Sequence, residues 1–136
     1  MTQESKQLLL KDICGRLPYG VKVGFNKEGD VFTPIKFDLQ TKELFAEDKS
    51  KNCICIFRYD IFKPYLRPMS SMTEEERNEY LSIKMQETER VALAEVYRPE
   101  AISEIMDWLN KHHFDYRGLI EKGLALEAPE GLYKND

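Results

Sequence analysis

Two adjacent histidines and a nearby aspartate, His112, His113 and Asp115, form the densest group of side chains that could do chemistry. Imidazoles bind metals and transfer protons near neutral pH, and a carboxylate can orient an imidazole that acts as a general base. Adjacent residues on a helix point about 100° apart, so the two rings are poorly placed to share one ion. Histidines in the last turn of a helix also interact favourably with its dipole. The pattern favours a structural role and makes a small metal-dependent enzyme the least favoured function.

The cysteine spacing gives a weak metal signal. Cys53 and Cys55 would lie on the same side of a strand, and only Cys14, His112 and His113 could complete a ligand set. Structural zinc sites usually combine two close pairs of ligands, which this sequence lacks. We therefore expect small buried side chains at the cysteines, and no resident metal or cofactor. Three cysteines without an export signal also predict reduced thiols in a cytoplasmic protein.

A short run of basic and aromatic residues supplies candidates for binding. Lys63, Tyr65 and Arg67 alternate as in surfaces that grip a nucleic-acid backbone and stack its bases. The whole chain carries a net charge of −4, which disfavours phosphate binding as its main task, although residues 1–68 alone are net basic. An extended connector that buries its aromatic residues explains the same run. A nucleic-acid-associated module is therefore the alternative function, and it is not the favoured one.

The sequence contains no motif of a known catalytic chemistry. Glycine-rich phosphate loops, nucleophile elbows, H-E-x-x-H helices and paired C-x-x-C sets are all missing from it. With 136 residues, 42% of them hydrophobic and 32% charged, the chain has the size and composition of one globular domain. No run of apolar residues is long enough to cross a membrane. We predict a non-enzymatic accessory or protein-binding protein whose partner is another protein.

The first half of the chain predicts a helix followed by strands. Apolar residues at three- and four-residue intervals predict a helix over Glu4–Cys14, which Pro18 ends. Period-two alternation on both sides of residues 26–30 predicts a hairpin whose second strand is bulged, or at an edge, at Pro34. A weaker strand follows at residues 43–46.

The stretch CICIFRY, residues 53–59, is apolar on both faces and predicts a central strand. Residues 60–72 contain two prolines and predict an extended connector, the seam between the two halves of one domain spanning 1–136. Since no connection between the strands is long enough for a parallel crossover, we expect an antiparallel meander.

The second half predicts two or three helices. Thr73 and Glu76 match a capping box at the start of the first helix, whose end the pattern leaves open between residues 87 and 97. Pro99 suits the first turn of a second helix with a regular apolar face. Residues 129–136 predict a loose tail.

The corner at residues 108–126 predicts a helix-turn-helix. Asp115 is a suitable N-cap for a short helix over residues 116–122, and Gly123 fits its left-handed C-cap. The first two residues of that short helix have no predicted structural role and therefore become binding candidates. The candidate binding residues are Lys63, Tyr65, Arg67, Tyr116 and Arg117.

Together these elements predict an α+β fold. Its order is an N-terminal helix, a three- to four-stranded antiparallel meander, and two or three C-terminal helices packed on one face of the sheet.

Three blocks of sequence carry a resemblance. They are LPYGVKV, KPYLRPMSSMTEEE and WLNKHHFDYRGLIEKGLALEAPEG, at residues 17–23, 63–76 and 108–131. The chain resembles a group of uncharacterised small proteins of Bacteroides-type gut bacteria and of their phages and mobile elements. The resemblance implies a cytoplasmic, phage-related accessory protein, and it transfers no catalytic residue.

Overall fold

The structure, a computed structural model, describes residues 1–25, 30–94 and 99–133, with side chains except those of residues 87–103. The predicted α+β fold is confirmed: an N-terminal helix, a three-stranded antiparallel sheet and C-terminal helices follow one another. Within these ranges, no helix is long and apolar enough to cross a membrane. The elements are α1 (Gln3–Arg16), β1 (Val23–Gly24), β2 (Thr33–Asp38), β3 (Glu43–Asp48), β4 (Cys53–Arg58), β5 (Lys63–Leu66), α2 (Glu74–Ala94), α3 (Pro99–Lys111) and β6 (Leu126–Glu127).

Helix α1 begins after Thr2, whose hydroxyl accepts a hydrogen bond from the Ser5 amide at 3.1 Å. This N-cap satisfies one of the amides that a helix start leaves unpaired. The helix runs to Arg16, two residues beyond the predicted end. Pro18 lies in the 3-10 turn that follows, and Gly20 closes this turn with a φ of +73°.

Strands β2, β3 and β4 form one antiparallel sheet in that order. β4 is therefore an edge strand, and the prediction of a central strand at residues 53–59 is wrong. The apolar composition of that stretch is typical of burial on two faces. The chain instead turns at Tyr59–Ile61 and continues into β5, which pairs with β1 rather than with β4.

Pro34 lies in edge strand β2, and the register shifts between Pro34 and Lys36. The prediction of a bulged or edge strand at this proline is confirmed, since proline cannot donate to a ladder. Because of the bulge, the residues of this strand do not keep one strict alternation between the two faces of the sheet. Phe32 and Phe37 both pack in the core, whereas Ile35 is exposed.

A second sheet has the order β1, β5, β6, so part of the predicted connector is a central strand. β5 pairs antiparallel with β1 and parallel with β6, because the chain passes through α2 and α3 before it returns. The sequence did not predict this parallel pair. The predicted hairpin is reduced to a bridge between Val23 and Phe32, and residues 26–29 of its turn lie outside the described residues.

Three clusters of buried side chains hold the elements together. In the first, Leu9 and Ile13 of α1 pack with Leu44 and Ala46 of β3 and with Phe62. The second joins the segment before β1 to residues 119–125. The third packs described residues of α2 and α3 on the corner and on the segment before α2. Helix α1 thus packs on the β2–β4 sheet.

The predicted capping box at the start of α2 is confirmed. The Glu76 amide donates to the Thr73 hydroxyl at 3.1 Å, and the Thr73 amide donates to the Glu76 carboxylate at 3.0 Å. Pro99 is the first residue of α3, as predicted. The described part of α2 extends to Ala94, and residues 95–98 lie outside the described residues.

The corner contains turns where the sequence predicts a third helix, so that prediction is wrong. Gly118 has a φ of +71°, a left-handed conformation that interrupts a helix over residues 116–122. Asp115 still caps backbone amides: its carboxylate accepts hydrogen bonds from Leu119 at 2.8 Å and Ile120 at 3.0 Å. The predicted left-handed conformation at Gly123 is confirmed by its φ of +75°.

The chain after β6 is held against the molecule as far as Tyr133, which differs from the predicted loose tail. The Tyr133 hydroxyl accepts a hydrogen bond from the Lys22 amide at 2.9 Å and donates one to the Tyr65 carbonyl at 2.7 Å. Its ring stacks on His113 with 3.6 Å between centroids. Residues 134–136 lie outside the described residues.

Candidate protein-binding surface

Five large apolar side chains stay exposed on the β2–β4 sheet and its turns. Ile54 and Ile56 of β4 keep 56% and 47% of their surface exposed, and Phe57 keeps 43%. Ile35 of β2 and Leu39 in the following turn are exposed at 51% and 80%. Single exposed apolar residues are ordinary on a protein surface, but a set gathered on one sheet makes this sheet the candidate for an interaction surface.

The two faces of this sheet are chemically different. Leu44 and Ala46 of β3 are buried beneath α1, so Phe45 between them points to the opposite, outer face. Phe45 lies opposite Ile56 in the register, and the Lys36 ammonium lies 5.0 Å from the centre of the Phe45 ring. The outer face therefore carries an apolar stripe that reaches the β4 edge, with a lysine over its other end.

The two edge strands differ in how they are protected. β2 carries Pro34, Lys36 and a bulge, which are devices that keep further strands from pairing. Residues 53–57 of β4 contain neither a proline nor a charge, and Lys51 and Arg58 flank them. An edge strand of this kind presents its backbone N–H and C=O groups to any extended chain.

At the β4 edge, Phe57 packs against other aromatic rings. Phe57 lies edge-on to Phe25, with 5.4 Å between ring centres, and 6.1 Å from the Phe62 ring. Cys55 packs against the first cluster, while Cys53 is exposed. The expectation of a buried cysteine is therefore wrong for Cys53, because it lies in an edge strand and not a central one.

The binding candidates of the 63–67 run have structural partners. Tyr65 is 5% exposed and donates to the Asp30 carbonyl at 3.1 Å. Arg67 forms two hydrogen bonds to the Glu76 carboxylate, at 2.6 and 2.8 Å, and lies 4.3 Å above the Phe114 ring. These bonds hold the pKa of Glu76 down at about 2. Only Lys63, at a partly exposed position of β5, is left of the predicted basic and aromatic surface.

Tyr116 and Arg117, the other two candidates, belong to a polar network under α1. The Tyr116 hydroxyl donates to the Asn110 side chain at 2.8 Å. Arg117 donates to the Asp12 carboxylate at 3.2 Å. Asp12 also forms a fully buried ion pair with Arg16 at 2.9 Å, and Arg16 donates to the Phe114 carbonyl at 2.6 Å. The network ties α1 to the corner.

Sequence reasoning missed the Asp12–Arg16 pair. Both residues lie within α1 and are four positions apart, a spacing that brings opposite charges together on one side of a helix. The signal available was their position among buried apolar residues: Asp12 directly precedes Ile13, and Arg16 follows it by three. A charged pair on an apolar stripe predicts a buried ion pair rather than a solvent-exposed one.

The two histidines of the corner serve different clusters. The His112 ring packs against Trp108 at a tilt of 41° with 4.4 Å between centroids, and its Nδ1 lies 3.6 Å from the Glu76 carboxylate. His113 is 2% exposed, and burial lowers its pKa to about 4, with Arg16 adding to the effect. Among the described residues, no three His, Cys, Asp or Glu side chains are grouped as a metal site would require.

Comparisons with protein-family models, with curated proteins and with solved structures gave no match to this chain. The surface on the β2–β4 sheet is therefore interpreted from its own residues, its edge strand and its exposed side chains.

Proposed function

We propose that this chain is a non-enzymatic protein-binding protein whose interaction surface is the outer face and the β4 edge of the β2–β4 sheet. The observation that carries the proposal is the coincidence of two features on one strand. Ile54 and Ile56 are exposed, and no strand of the described residues pairs with the backbone on the outer edge of β4. Strand addition uses both features, because the backbone supplies affinity and alternate side chains supply specificity.

The partner would pair its own backbone with β4 and cover the isoleucines. On the outer face it would meet the Phe45 ring beside Ile56, and Glu47 beside Ile54. An extended segment with apolar residues at alternate positions fits this stripe. The polar residues that the sequence offers for chemistry, above all Arg67, Tyr116 and Arg117, are engaged in holding the fold, which supports an accessory role over catalysis.

A cytoplasmic setting is part of the proposal. It is supported by three cysteines, Cys14, Cys53 and Cys55, that form no disulfide and are partly or fully exposed. A phage or mobile-element origin is proposed on the resemblance of the three sequence blocks alone.

The experiment that tests the proposal is affinity capture of host proteins with three forms of the chain. The forms are the wild type, Ile54→Lys/Ile56→Lys, and the matched control Leu81→Lys/Met85→Lys, which changes two exposed apolar residues of α2. We expect partners that wild type and control retain and that the sheet variant loses. Identical capture by all three forms would contradict the proposed surface.

A further inference from the structure

We infer that the partner at the β4 edge is a second copy of this chain, paired antiparallel with β4 to join two three-stranded sheets into one of six strands. This inference rests on the proposed function and names the partner of the same surface. A twofold pairing of this kind places identical strands side by side and removes both unprotected edges at once.

The sequence of β4 is complementary to itself in one register. With Cys55 at the centre, Ile54 lies opposite Ile56 of the second copy, and Cys53 lies opposite Phe57. Both isoleucine pairs fall on the outer face, because side chains opposite each other in an antiparallel pair share a face. All five residues of this window are uncharged, so no like charges oppose each other within it.

The neighbouring register is less favourable. With Ile56 at the centre, Arg58 of one copy lies opposite Ile54 of the other, which sets a guanidinium against an exposed apolar side chain. In the Cys55-centred register, Arg58 lies opposite the polar Asn52 amide, and in both registers Glu43 is its neighbour on β3. The position of Arg58 therefore favours the Cys55-centred register of these two.

The outer face of the joined sheet would carry three apolar residues side by side across the new boundary. Within one copy, Lys36 lies opposite Phe45 and Phe45 opposite Ile56. Across the new boundary, Ile54 of the second copy follows Ile56, and Glu47 of that copy comes next. Three apolar residues occupy the centre of the row, with Lys36 beyond Phe45 at one end and Glu47, followed by Thr33, at the other. A foreign strand with charged outer residues would not reproduce this arrangement.

The first test is the concentration dependence of the mass of the purified full chain, measured by sedimentation velocity. We expect a reversible monomer and dimer in the wild type and in Leu81→Lys/Met85→Lys. Ile54→Lys/Ile56→Lys brings four lysines together at the joint, so its dissociation constant should rise about 100-fold or more. A wild type that is monomeric up to high micromolar concentration, or a dimer that this variant leaves intact, would overturn the inference.

The second test fixes the register by disulfide trapping with diamide as the oxidant. Cys14→Ser/Cys53→Ser leaves Cys55 as the single thiol, and Cys14→Ser/Cys55→Ser leaves Cys53. Directly opposed residues of an antiparallel pair lie within the Cα distance that a disulfide spans. We expect covalent dimer from the Cys55 form only, and its suppression by Ile54→Lys/Ile56→Lys. Equal trapping through Cys53, or none through Cys55, would overturn the proposed pairing.

Different experimental results would overturn the second-copy inference and the proposed function. A chain that stays monomeric but captures host proteins through Ile54 and Ile56 overturns the second-copy inference and leaves the proposed function intact. A chain that neither associates nor captures partners through this edge overturns both.

Discussion

The corner at residues 108–126 and strand β4 use their side chains in opposite ways. The corner is rich in groups that could do chemistry, yet Asp115 caps two amides and Tyr116 bonds to Asn110. Strand β4 has only one charged residue, Arg58, but it presents exposed isoleucines and, among the described residues, a backbone edge that no other strand pairs with. In the corner, polar residues hold the fold together, whereas the proposed binding surface lies on an apolar strand.

The largest effect on stability is expected where the corner meets α1. Arg16→Met leaves the Asp12 carboxylate buried with Arg117 as its remaining ionic partner and removes the donor to the Phe114 carbonyl. The free energy of unfolding should fall by about 3–5 kcal/mol, measured by urea denaturation. Asp12→Leu/Arg16→Met should recover much of this loss, since an apolar pair replaces an ionic one. A loss below about 1 kcal/mol in the single variant would contradict a joint at this site.

The pH dependence of stability tests the buried histidine of the corner. Because the pKa of His113 is lowered to about 4 in the folded chain, the unfolded chain takes up a proton first as the pH falls. The contribution of His113 to the free energy of unfolding should be fully present above pH ~6.5. It should be lost progressively towards pH ~4, by up to about 3 kcal/mol. His113→Asn, which tolerates the φ of +64°, should flatten this dependence.

His113 and Glu76 affect stability in different pH ranges. The lowered pKa of Glu76 stabilises the folded chain, and this contribution is lost only below the ordinary carboxyl pKa, so the pH dependence above pH ~4.5 reports on His113. The matched variant is His112→Asn, which removes the more exposed of the two rings. It should keep most of the pH dependence. If His112→Asn flattens the curve as much as His113→Asn, the assignment to the buried ring is wrong.

Arg67 is a residue for which the sequence suggests binding, whereas the structure shows packing within the fold. Arg67→Lys keeps the charge but loses the two-pronged contact with Glu76 and the stacking on Phe114. We expect a loss of about 1–2 kcal/mol in the free energy of unfolding and no change in dimerisation or capture. Lys63→Ala is the control and should change stability by less than about 0.5 kcal/mol. Lost capture in Arg67→Lys with normal stability would return this run to the binding candidates.

Substitutions at the exposed isoleucines of β4 should have a small effect on stability. Ile54→Lys/Ile56→Lys alters two exposed residues and should change the free energy of unfolding by less than about 1 kcal/mol per site. Its effect on association should nevertheless exceed that of any corner variant. Thermal unfolding and sedimentation of the same samples measure both quantities. A variant that loses association only because it unfolds would remove β4 from the proposed surface.

Local signals in the sequence predict local structure well in this chain. The capping box at Thr73, the start of α3 at Pro99 and the irregularity at Pro34 each depend on groups within a few residues. The pairing of β5 with β1 and β6 depends on contacts between distant segments, which no local period reports. For the same reason, the apolar character of β4 could not distinguish a strand between two neighbours from one with a free edge.

Because of that ambiguity, the sequence alone does not predict the candidate surface. Apolar residues at 53–57 predict burial, and only the strand order shows which of them are left uncovered. Conversely, Arg117 lacked a predicted partner because Asp12, which it contacts, is 105 residues away in the chain. Long-range contacts therefore decide both what is free to bind and what is already paired.

Hydrogen exchange of the β4 backbone amides, measured at low and high protein concentration, is the most direct test of strand pairing at β4. We expect the amides that point out of β4 to become more protected at high concentration. The amides of β2, whose bulge and Pro34 disfavour pairing with a further strand on its outer edge, and those of the corner should exchange at unchanged rates. Equal exchange of the β4 amides at both concentrations, or protection that appears on β2 instead, would contradict this pairing.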